Sequence, residues 1–233
     1  MKSYLLLLYR LVTYNVKVIF GNKFVYFVVA AFLFFAFIIT ITIFEDPEFN
    51  DEVIYAFLVF PGLLLVFYPM SYGIQNDDDS KMLETIFGIP NYRYKVWLVR
   101  FFLTIVVAAV ILVVLAAIAN LALHRFSMLP MIGQVLFPIV FLSSLAFMCS
   151  TLIKNGNGTA IVIVIVAFVF FVFAGPLEHS VYNVFLNPFS EPREMSKFIW
   201  LTVIYKNRLY LIILTVLCLL YGMYNLQFRE KFV

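Results

Sequence analysis

Charge is scarce in this chain. Only 12% of its 233 residues are charged, whereas 64% are hydrophobic and 28 are phenylalanine. Soluble domains usually carry about a quarter of charged residues, so this composition excludes an ordinary water-soluble fold. It predicts an integral membrane protein that forms one polytopic domain over residues 1–233, with too little chain left for a large aqueous domain.

Several signatures of catalysis and cross-linking are also missing. The only cysteines, Cys149 and Cys218, lie in apolar runs, which excludes a disulfide framework or a cysteine-rich metal site. Neither H-E-x-x-H nor G-x-S-x-G occurs, so we expect no protease chemistry and no metal site. No ionisable residue lies at mid-depth in a predicted span, which argues against an ion channel. The phosphate-binding pattern G-x-x-x-x-G-K-[ST] is absent too, so nucleotide-driven work would need a partner chain.

Long apolar runs dominate what is present. A helix that crosses a bilayer needs about 20 mostly apolar residues. Six runs meet this requirement, at roughly 24–44, 53–74, 96–123, 130–153, 158–175 and 209–227. The sequence therefore predicts an all-α polytopic membrane protein with six transmembrane helices. The N-terminal stretch is interrupted by Arg10, Lys17 and Lys23, so we expect no removable signal peptide there.

The distribution of basic residues predicts an orientation. If the N-terminus is inside, 11 of the 16 lysines and arginines lie on the cytoplasmic side. Because basic residues favour cytoplasmic loops, both termini are expected in the cytoplasm. If residues 1–23 form a helix, their polar side chains gather on one side of it, which predicts an interfacial amphipathic helix. Residues 176–208 are expected to form a long outer loop, in which SEPREMSKFIWLTVIY suits a short surface helix.

The polar segment 76–95 interrupts two apolar runs. On a helix over residues 81–89, one arc collects the apolar side chains of Met82, Leu83, Ile86, Phe87 and Ile89, and the opposite arc holds Lys81, Glu84, Thr85 and Gly88. The acids at 77–79 precede this helix, where carboxylates favour the positive end of the helix dipole, and Pro90 ends it. The pattern predicts a short cytoplasmic helix with an apolar side toward the bundle and a polar side toward a cytosolic partner.

The same segment resembles the stretch between the second and third spans of ABC-2-type transporter permeases. That stretch reads approximately E-x-E-x-G-T-L-E-x-L-L-x-x-P-x-x-R, and a basic residue follows near the start of the third span. The matching positions here are Asp77, Asp79, Leu83, Glu84, Ile86, Phe87, Pro90, Arg93 and, in the third span, Arg100. Lys81 and Met82 depart from the usual glycine and threonine. The N-terminal helix, the six spans, the long last outer loop and the short tail FREKFV are similar as well.

The resemblance implies a non-catalytic permease subunit of an ATP-driven exporter. Its coupling helix would lie in a groove of a separate cytoplasmic ATPase subunit, which would carry the ATP and Mg²⁺. A second permease copy or a paralogue would complete the assembly in a bacterial cytoplasmic (inner) membrane. The residues implied in ATPase coupling are Asp77, Asp79, Lys81, Leu83, Glu84, Phe87, Pro90 and Arg93. An ordinary amphipathic connector remains the alternative.

The only indication of the cargo is the lack of polar side chains in two of the predicted spans. The first and fifth spans carry almost no polar side chains, and the resemblance places these helices beside the transport path, which implies a lipid-like or amphipathic substrate. The alternative is that both helices simply face lipid or pack together. The candidate pathway residues are Tyr68, Ser71, Tyr72, Ser143 and Ser144, which would serve equally as hydrogen-bond partners between helices.

Two other functions compete with export of a substrate. The cluster Asp77 to Asp79 invites comparison with membrane prenyltransferases, in which aspartates hold magnesium and diphosphate. Consecutive residues on a helix point about 100° apart, so the three carboxylates do not converge on one ion, and a second aspartate-rich motif is missing. A membrane subunit that transmits force to a partner outside the cell, without moving a small molecule, is the other alternative.

Overall fold

The computed structural model describes residues 23–44, 49–89 and 91–228. Seven α-helices occur in these ranges, α1 (Phe24–Phe44), α2 (Asp51–Asp79), α3 (Leu83–Phe87), α4 (Val99–Ala122), α5 (Met128–Ile153), α6 (Gly156–Ala174) and α7 (Lys197–Asn225), together with a π-helix over Arg93–Leu98 that runs directly into α4. No β-strand is found in the described ranges. The six α-helices other than α3 are long and apolar enough to cross a membrane, with the π-helix and α4 forming one candidate span over Arg93–Ala122, which confirms six candidate spans.

Some predicted features lie outside the described residues. The interfacial helix over 1–23 falls there except for Lys23, as do Pro90 and residues 229–233. The last span also differs from its predicted bounds, since α7 begins at Lys197 rather than near residue 209. The side chain of Ser196 caps this helix by accepting a hydrogen bond from the amide of Ile199 at 3.4 Å. The loop after α6 therefore ends at 196, and the predicted surface helix is the first part of α7.

Successive long helices run in opposite directions, so the chain alternates between two ends of the bundle. We call one end the connector end, because it holds the connector over residues 80–98 between α2 and α4. The other is the loop end, which holds the turn over 123–127 and the loop over 175–196. α5 lies centrally and packs most extensively against α2 and α7. The starts of α1 and α6 and the finish of α2 consequently meet at the connector end.

Close packing fills the centre between α1, α2, α4 and α5. Ile54, Leu112 and Ile139 are fully buried there. A Cβ atom added at Gly62 would lie 2.2 Å from Cδ1 of Ile139, so the glycine lets α2 approach α5 closely. Small residues at such crossings drive helix association in a membrane, where lipid tails are as apolar as the side chains.

The helices α1 and α6 differ from this centre. In the most apolar stretch of each of these two helices, only 11% of the residues are buried within the bundle. Their exposed side chains are almost all aliphatic or phenylalanine, including Leu33, Phe37, Ile161 and Phe168. These two surfaces suit contact with lipid tails or with another apolar helix.

Candidate functional site at the connector end

The three aspartates lie at the end of α2 rather than at the start of the short helix. Ser80 closes α2, since its amide and its hydroxyl both donate to the carbonyl of Asn76, at 3.2 and 2.8 Å. Lys81 then turns the chain with a φ of 55°, in the left-handed region. The acids do precede the short helix in the chain, as predicted, but the carboxylates of Asp77 and Asp79 accept hydrogen bonds from Arg100 and Gln75 rather than capping that helix. The carboxylates lie at the negative end of the α2 dipole, and a compensating cation is needed there.

Arg100 in α4 supplies that cation. The carboxylate of Asp77 is buried, with 4% of the residue exposed, and its Oδ2 accepts a hydrogen bond from Nη1 of Arg100. The guanidinium of Arg100 also lies 5.2 Å from the centre of the Trp97 ring. A buried charge is tolerated when it is paired in this way. The ion pair joins the end of α2 to the start of α4, so the carboxylate of Asp77 faces the bundle and not a surface open to another chain.

The short helix α3 has a narrow apolar side. Leu83 and Ile86 are 4% and 5% exposed and belong to a buried cluster that includes Trp97 of the π-helix and Met223 of α7. Met82 and Ile89, which the periodicity assigned to the same side, are instead 39% and 36% exposed. The helix spans only Leu83–Phe87, so residues at its flanks turn away from the apolar arc.

The opposite side of α3 is open to solvent. Lys81, Thr85 and Gly88 are all exposed, as the periodicity predicts. Glu84 lies in the helix on the same predicted arc, and Phe87 is its last residue, but neither side chain is described. Arg93 is half-buried, with its guanidinium 5.6 Å from the centre of the Tyr94 ring. Lys81, Thr85 and Gly88 thus form an exposed surface at α3.

A second set of contacts ties the connector to the last helix. The hydroxyl of Tyr92, a residue only 4% exposed, donates to the carbonyl of Leu226, just after α7. Nδ2 of Asn225 in turn donates to the carbonyl of Thr151 near the end of α5, at 2.5 Å. The connector is therefore held by α2, α4 and α7 together.

An open cleft lies beside the connector, between α1 and α2. It has a volume of about 460 Å³ and is lined by Lys23, Phe27, Phe67, Tyr68, Tyr72, Gln75, Asn76 and Asp79. The ring of Tyr68 stacks with those of Phe27 and Tyr72, with centroid distances of 4.7 and 5.1 Å. The hydroxyl of Tyr72 donates to Oδ1 of Asn157 at 2.9 Å, which links α2 to α6. The cleft combines an aromatic wall with charged and amide groups.

The five candidate pathway residues fall into two places. Tyr68 and Tyr72 belong to the cleft, whereas Ser71, Ser143 and Ser144 are buried inside the bundle. The hydroxyls of Ser143 and Ser144 donate to carbonyls of their own helix, at 2.6 and 2.7 Å. The hydroxyl of Ser71 has no hydrogen-bond partner within the described part of the chain. These residues do not form one continuous polar row.

The loop end holds a polar cluster that the sequence analysis missed. Arg208 was assigned to the outer loop, yet it lies within α7 and is 5% exposed. Its Nε, Nη1 and Nη2 donate to Oε1 of Gln134, Oδ1 of Asn207 and the carbonyl of Leu186, at 2.7, 2.9 and 3.2 Å. The hydroxyl of Tyr55 donates to the same carbonyl at 3.2 Å. This cluster fixes the loop over 175–196 to α2, α5 and α7.

Other residues of the connector end carried weak signals in the sequence. Arg100 was indicated only as the basic residue that the resemblance places near the start of the third span, and nothing in the spacing indicated Asp77 as its partner. Gln75 and Asn157 were not singled out, although they fix the polar wall of the cleft. Within the residues described, no three histidine, cysteine or acidic side chains are grouped so as to hold a metal ion.

Known proteins offer no guide to this arrangement. No protein-family model matches the chain, and no curated protein or solved structure matches it significantly. The geometry of the connector end is thus the basis for a functional proposal.

Proposed function

We propose that this chain is the membrane permease subunit of an ABC-2-type exporter, and that residues 76–95 dock on a separate cytoplasmic ATPase. One observation carries the proposal. The connector presents an open polar side around α3, while its other side is anchored to three long helices by Leu83, Ile86, Tyr92 and the Asp77–Arg100 pair. A displacement of α3 would therefore move α2, α4 and α7 together. An ordinary surface connector needs no such anchoring.

In this proposal the docking residues are the charged residues of the connector that are not buried in the bundle. Lys81 and Asp79 are exposed, Arg93 is half-buried, and Glu84 lies between them in the sequence. Their charges would pair with side chains that line a groove of the ATPase. Asp77 has a different role, since it holds the connector in place through Arg100. The ATPase would bind the ATP and Mg²⁺ and perform the hydrolysis.

The proposed assembly contains two ATPases and two membrane subunits, either two copies of this chain or this chain and a paralogue. It would lie in a bacterial cytoplasmic membrane with both termini in the cytoplasm, so the connector end would face the ATPases. The apolar surfaces of α1 and α6 support a lipid-like or amphipathic cargo, because a sugar or an ion would find no polar partners along them. The same surfaces suit contact with lipid or between the two membrane subunits.

The prenyltransferase alternative is weakened by the geometry of the acids. A magnesium-diphosphate site needs carboxylates that are free to bind the metal. Asp77 instead accepts a hydrogen bond from Arg100 within the bundle, and Asp78 and Asp79 are exposed at successive positions of α2. Their side chains diverge by about 100°.

The force-transmitting alternative has one observation in its favour. The loop over 175–196 is bound firmly to the bundle, through the Arg208 cluster and through the bond from Nε1 of Trp200 to the carbonyl of Pro188 at 3.2 Å. Nδ2 of Asn187 also donates to the carbonyl of Glu52 at 2.9 Å. A rigid loop would transmit a movement of α7 to a protein bound outside.

Co-purification tests the docking proposal. We expect the tagged chain, solubilised from its native membrane in a mild detergent, to retain a protein with ATPase activity. Glu84→Lys should abolish that retention, because it reverses a charge that the proposal pairs with the ATPase groove. Glu191→Lys is the matched control, since it makes the same charge change at an exposed position of the loop end. Absence of an ATPase from the wild-type preparation, or equal retention by both variants, would contradict the proposal.

A further inference from the structure

The cleft between α1 and α2 is lined by two opposite charges, Lys23 and Asp79, that do not form an ion pair with each other. Lys23 lies just before α1, and its Nζ is 5.2 Å from the centre of the Tyr68 ring. Asp79 ends α2, and its Oδ2 accepts a hydrogen bond from Nε2 of Gln75 at 3.4 Å. Neither takes part in an ion pair with another described residue. The cleft thus offers one cation and one anion to a ligand.

The polar wall of the cleft is held in place by the start of α6. Oε1 of Gln75 accepts a hydrogen bond from the amide of Gly156 at 2.5 Å. A Cβ atom at Gly156 would lie 2.3 Å from Cδ1 of Tyr72, so α6 approaches this wall as closely as a glycine allows. The side-chain amide of Asn76 contacts the hydroxyl of Tyr68 twice, since Nδ2 donates to it at 3.1 Å and Oδ1 lies within accepting distance at 3.4 Å, so the second lone pair of Oδ1 is left to accept a further hydrogen bond. Side chains fixed in this way lose little entropy when a ligand binds.

The position of the cleft indicates an amphipathic ligand. It lies where α1 and α6 start and α2 ends, at the depth where spanning helices meet the lipid headgroups. Its volume of about 460 Å³ is typical of a small-molecule site. The aromatic wall formed by Phe27, Phe67 and Tyr68 suits the glycerol and the first acyl carbons of a lipid.

We propose that this cleft binds the headgroup of a phospholipid that carries a primary amine. Lys23 would bind the phosphate, and Asp79 together with the amide oxygen of Asn76 would accept hydrogen bonds from the ammonium. A quaternary ammonium has no hydrogen to donate and needs an open aromatic face instead. The Tyr68 ring already stacks with Phe27 and Tyr72 and has Nζ of Lys23 over it at 5.2 Å from its centre, so it is not free to receive a second cation. The site shares Asp79 with the proposed docking surface, but lipid binding by the purified chain requires no ATPase, so the inference goes beyond the export function and is tested separately from it.

The test uses the full chain, purified in detergent and depleted of lipid. Phosphatidylethanolamine, phosphatidylcholine and phosphatidylglycerol with identical acyl chains are added in turn, and the bound lipid is counted by native mass spectrometry. We expect phosphatidylethanolamine to bind about tenfold more tightly than the other two, which corresponds to one charge-assisted hydrogen bond. Equal retention of the three lipids by the wild-type chain overturns the proposal, whatever the variants do.

Two variants locate the site. Asp79→Asn and Lys23→Gln should each remove most of the preference for phosphatidylethanolamine. Their matched controls are Asp78→Asn and Lys95→Gln, which change exposed charges at the same end of the bundle but do not line the cleft. An unchanged preference in the first pair, or an equal loss in the controls, rules out this cleft. Displacement of the lipid by an equal concentration of soluble phosphoethanolamine would rule out a lipid as the ligand.

Discussion

The hydroxyl of Tyr92 donates a hydrogen bond to the carbonyl of Leu226, 134 residues later in the chain. Leu226 is fully buried, and it lies one residue beyond α7. The bond joins the middle of the connector to the end of the last helix. Because α7 and α5 are linked by the bond between Asn225 and Thr151, the connector end behaves as one unit.

Removing this hydroxyl should loosen the connector. We expect Tyr92→Phe to retain the ring in its buried site but to increase amide hydrogen exchange over residues 80–98. The loss of one buried hydrogen bond corresponds to about 1 kcal/mol. Tyr94→Phe is the control, because Tyr94 is 53% exposed and its hydroxyl is not placed in this contact. Exchange measured by mass spectrometry that is equal in the two variants would contradict the anchoring role of Tyr92.

Because Asp77 and Arg100 form a buried ion pair, we expect the effects of substituting them on the free energy of unfolding to be non-additive. Asp77→Asn or Arg100→Gln alone leaves a charge without its partner, so each should lower the free energy of unfolding by about 3 kcal/mol. The two together remove both charges, and we expect a loss well below the sum of the single effects. Thermal unfolding in detergent measures the three variants, with the exposed Asp78→Asn as control. Strictly additive losses would show that the pair does not act as a unit.

The sequence predicted the spans well because membrane crossing is a local property. About 20 apolar residues cross a bilayer wherever the rest of the chain lies, and α1 indeed begins at Phe24 and ends at Phe44, as the hydropathy predicted. The buried side of α3 was also predicted in part, since Leu83 and Ile86 follow the helical period.

The polar contacts were not predictable in the same way. Asp77 and Arg100 lie 23 residues apart, and Arg208 and Gln134 lie 74 apart, so their pairing depends on how the helices pack. Because Arg208 is charged, the sequence analysis also placed the start of the last span after it, whereas α7 begins at Lys197. A polar residue is usually read as the end of a span, but a bundle accepts one whose hydrogen bonds are satisfied by neighbouring helices.

The hydrogen bonds of Arg208 predict that the planar shape of its guanidinium contributes to stability as well as its charge. Arg208→Lys keeps the charge but loses the planar fork that reaches Gln134, Asn207 and the Leu186 carbonyl. We expect a loss of about 2 kcal/mol in the free energy of unfolding. Proteolysis within the loop over 175–196 should become faster. Arg193→Lys, an exposed residue of that loop, should leave both measurements unchanged. A stable Arg208→Lys variant with a protected loop would contradict this role.

Two glycines of α2 predict opposite responses to the same substitution. Ala at position 62 would bring a Cβ to 2.2 Å from Cδ1 of Ile139 and 3.3 Å from Cδ1 of Leu112. Both neighbours are fully buried, so neither side chain has open space to move into. We expect Gly62→Ala to lower the free energy of unfolding by about 1–3 kcal/mol through overpacking. At Gly73 no atom lies within 4 Å of the added Cβ, and Gly73→Ala should raise stability by up to about 1 kcal/mol through helix propensity.

A second substitution tests whether Gly62→Ala is destabilising because of overpacking against Ile139 or for another reason. Ile139→Val removes the Cδ1 atom that an alanine at position 62 would meet, and alone it should cost about 1 kcal/mol through the space that it leaves. Combined with Gly62→Ala, the new Cβ fills that space, so the double variant should be more stable than Gly62→Ala alone. Thermal unfolding of the four chains in one detergent makes the comparison. If the double variant is the least stable of the set, the close approach of α2 to α5 is not what requires glycine at this position.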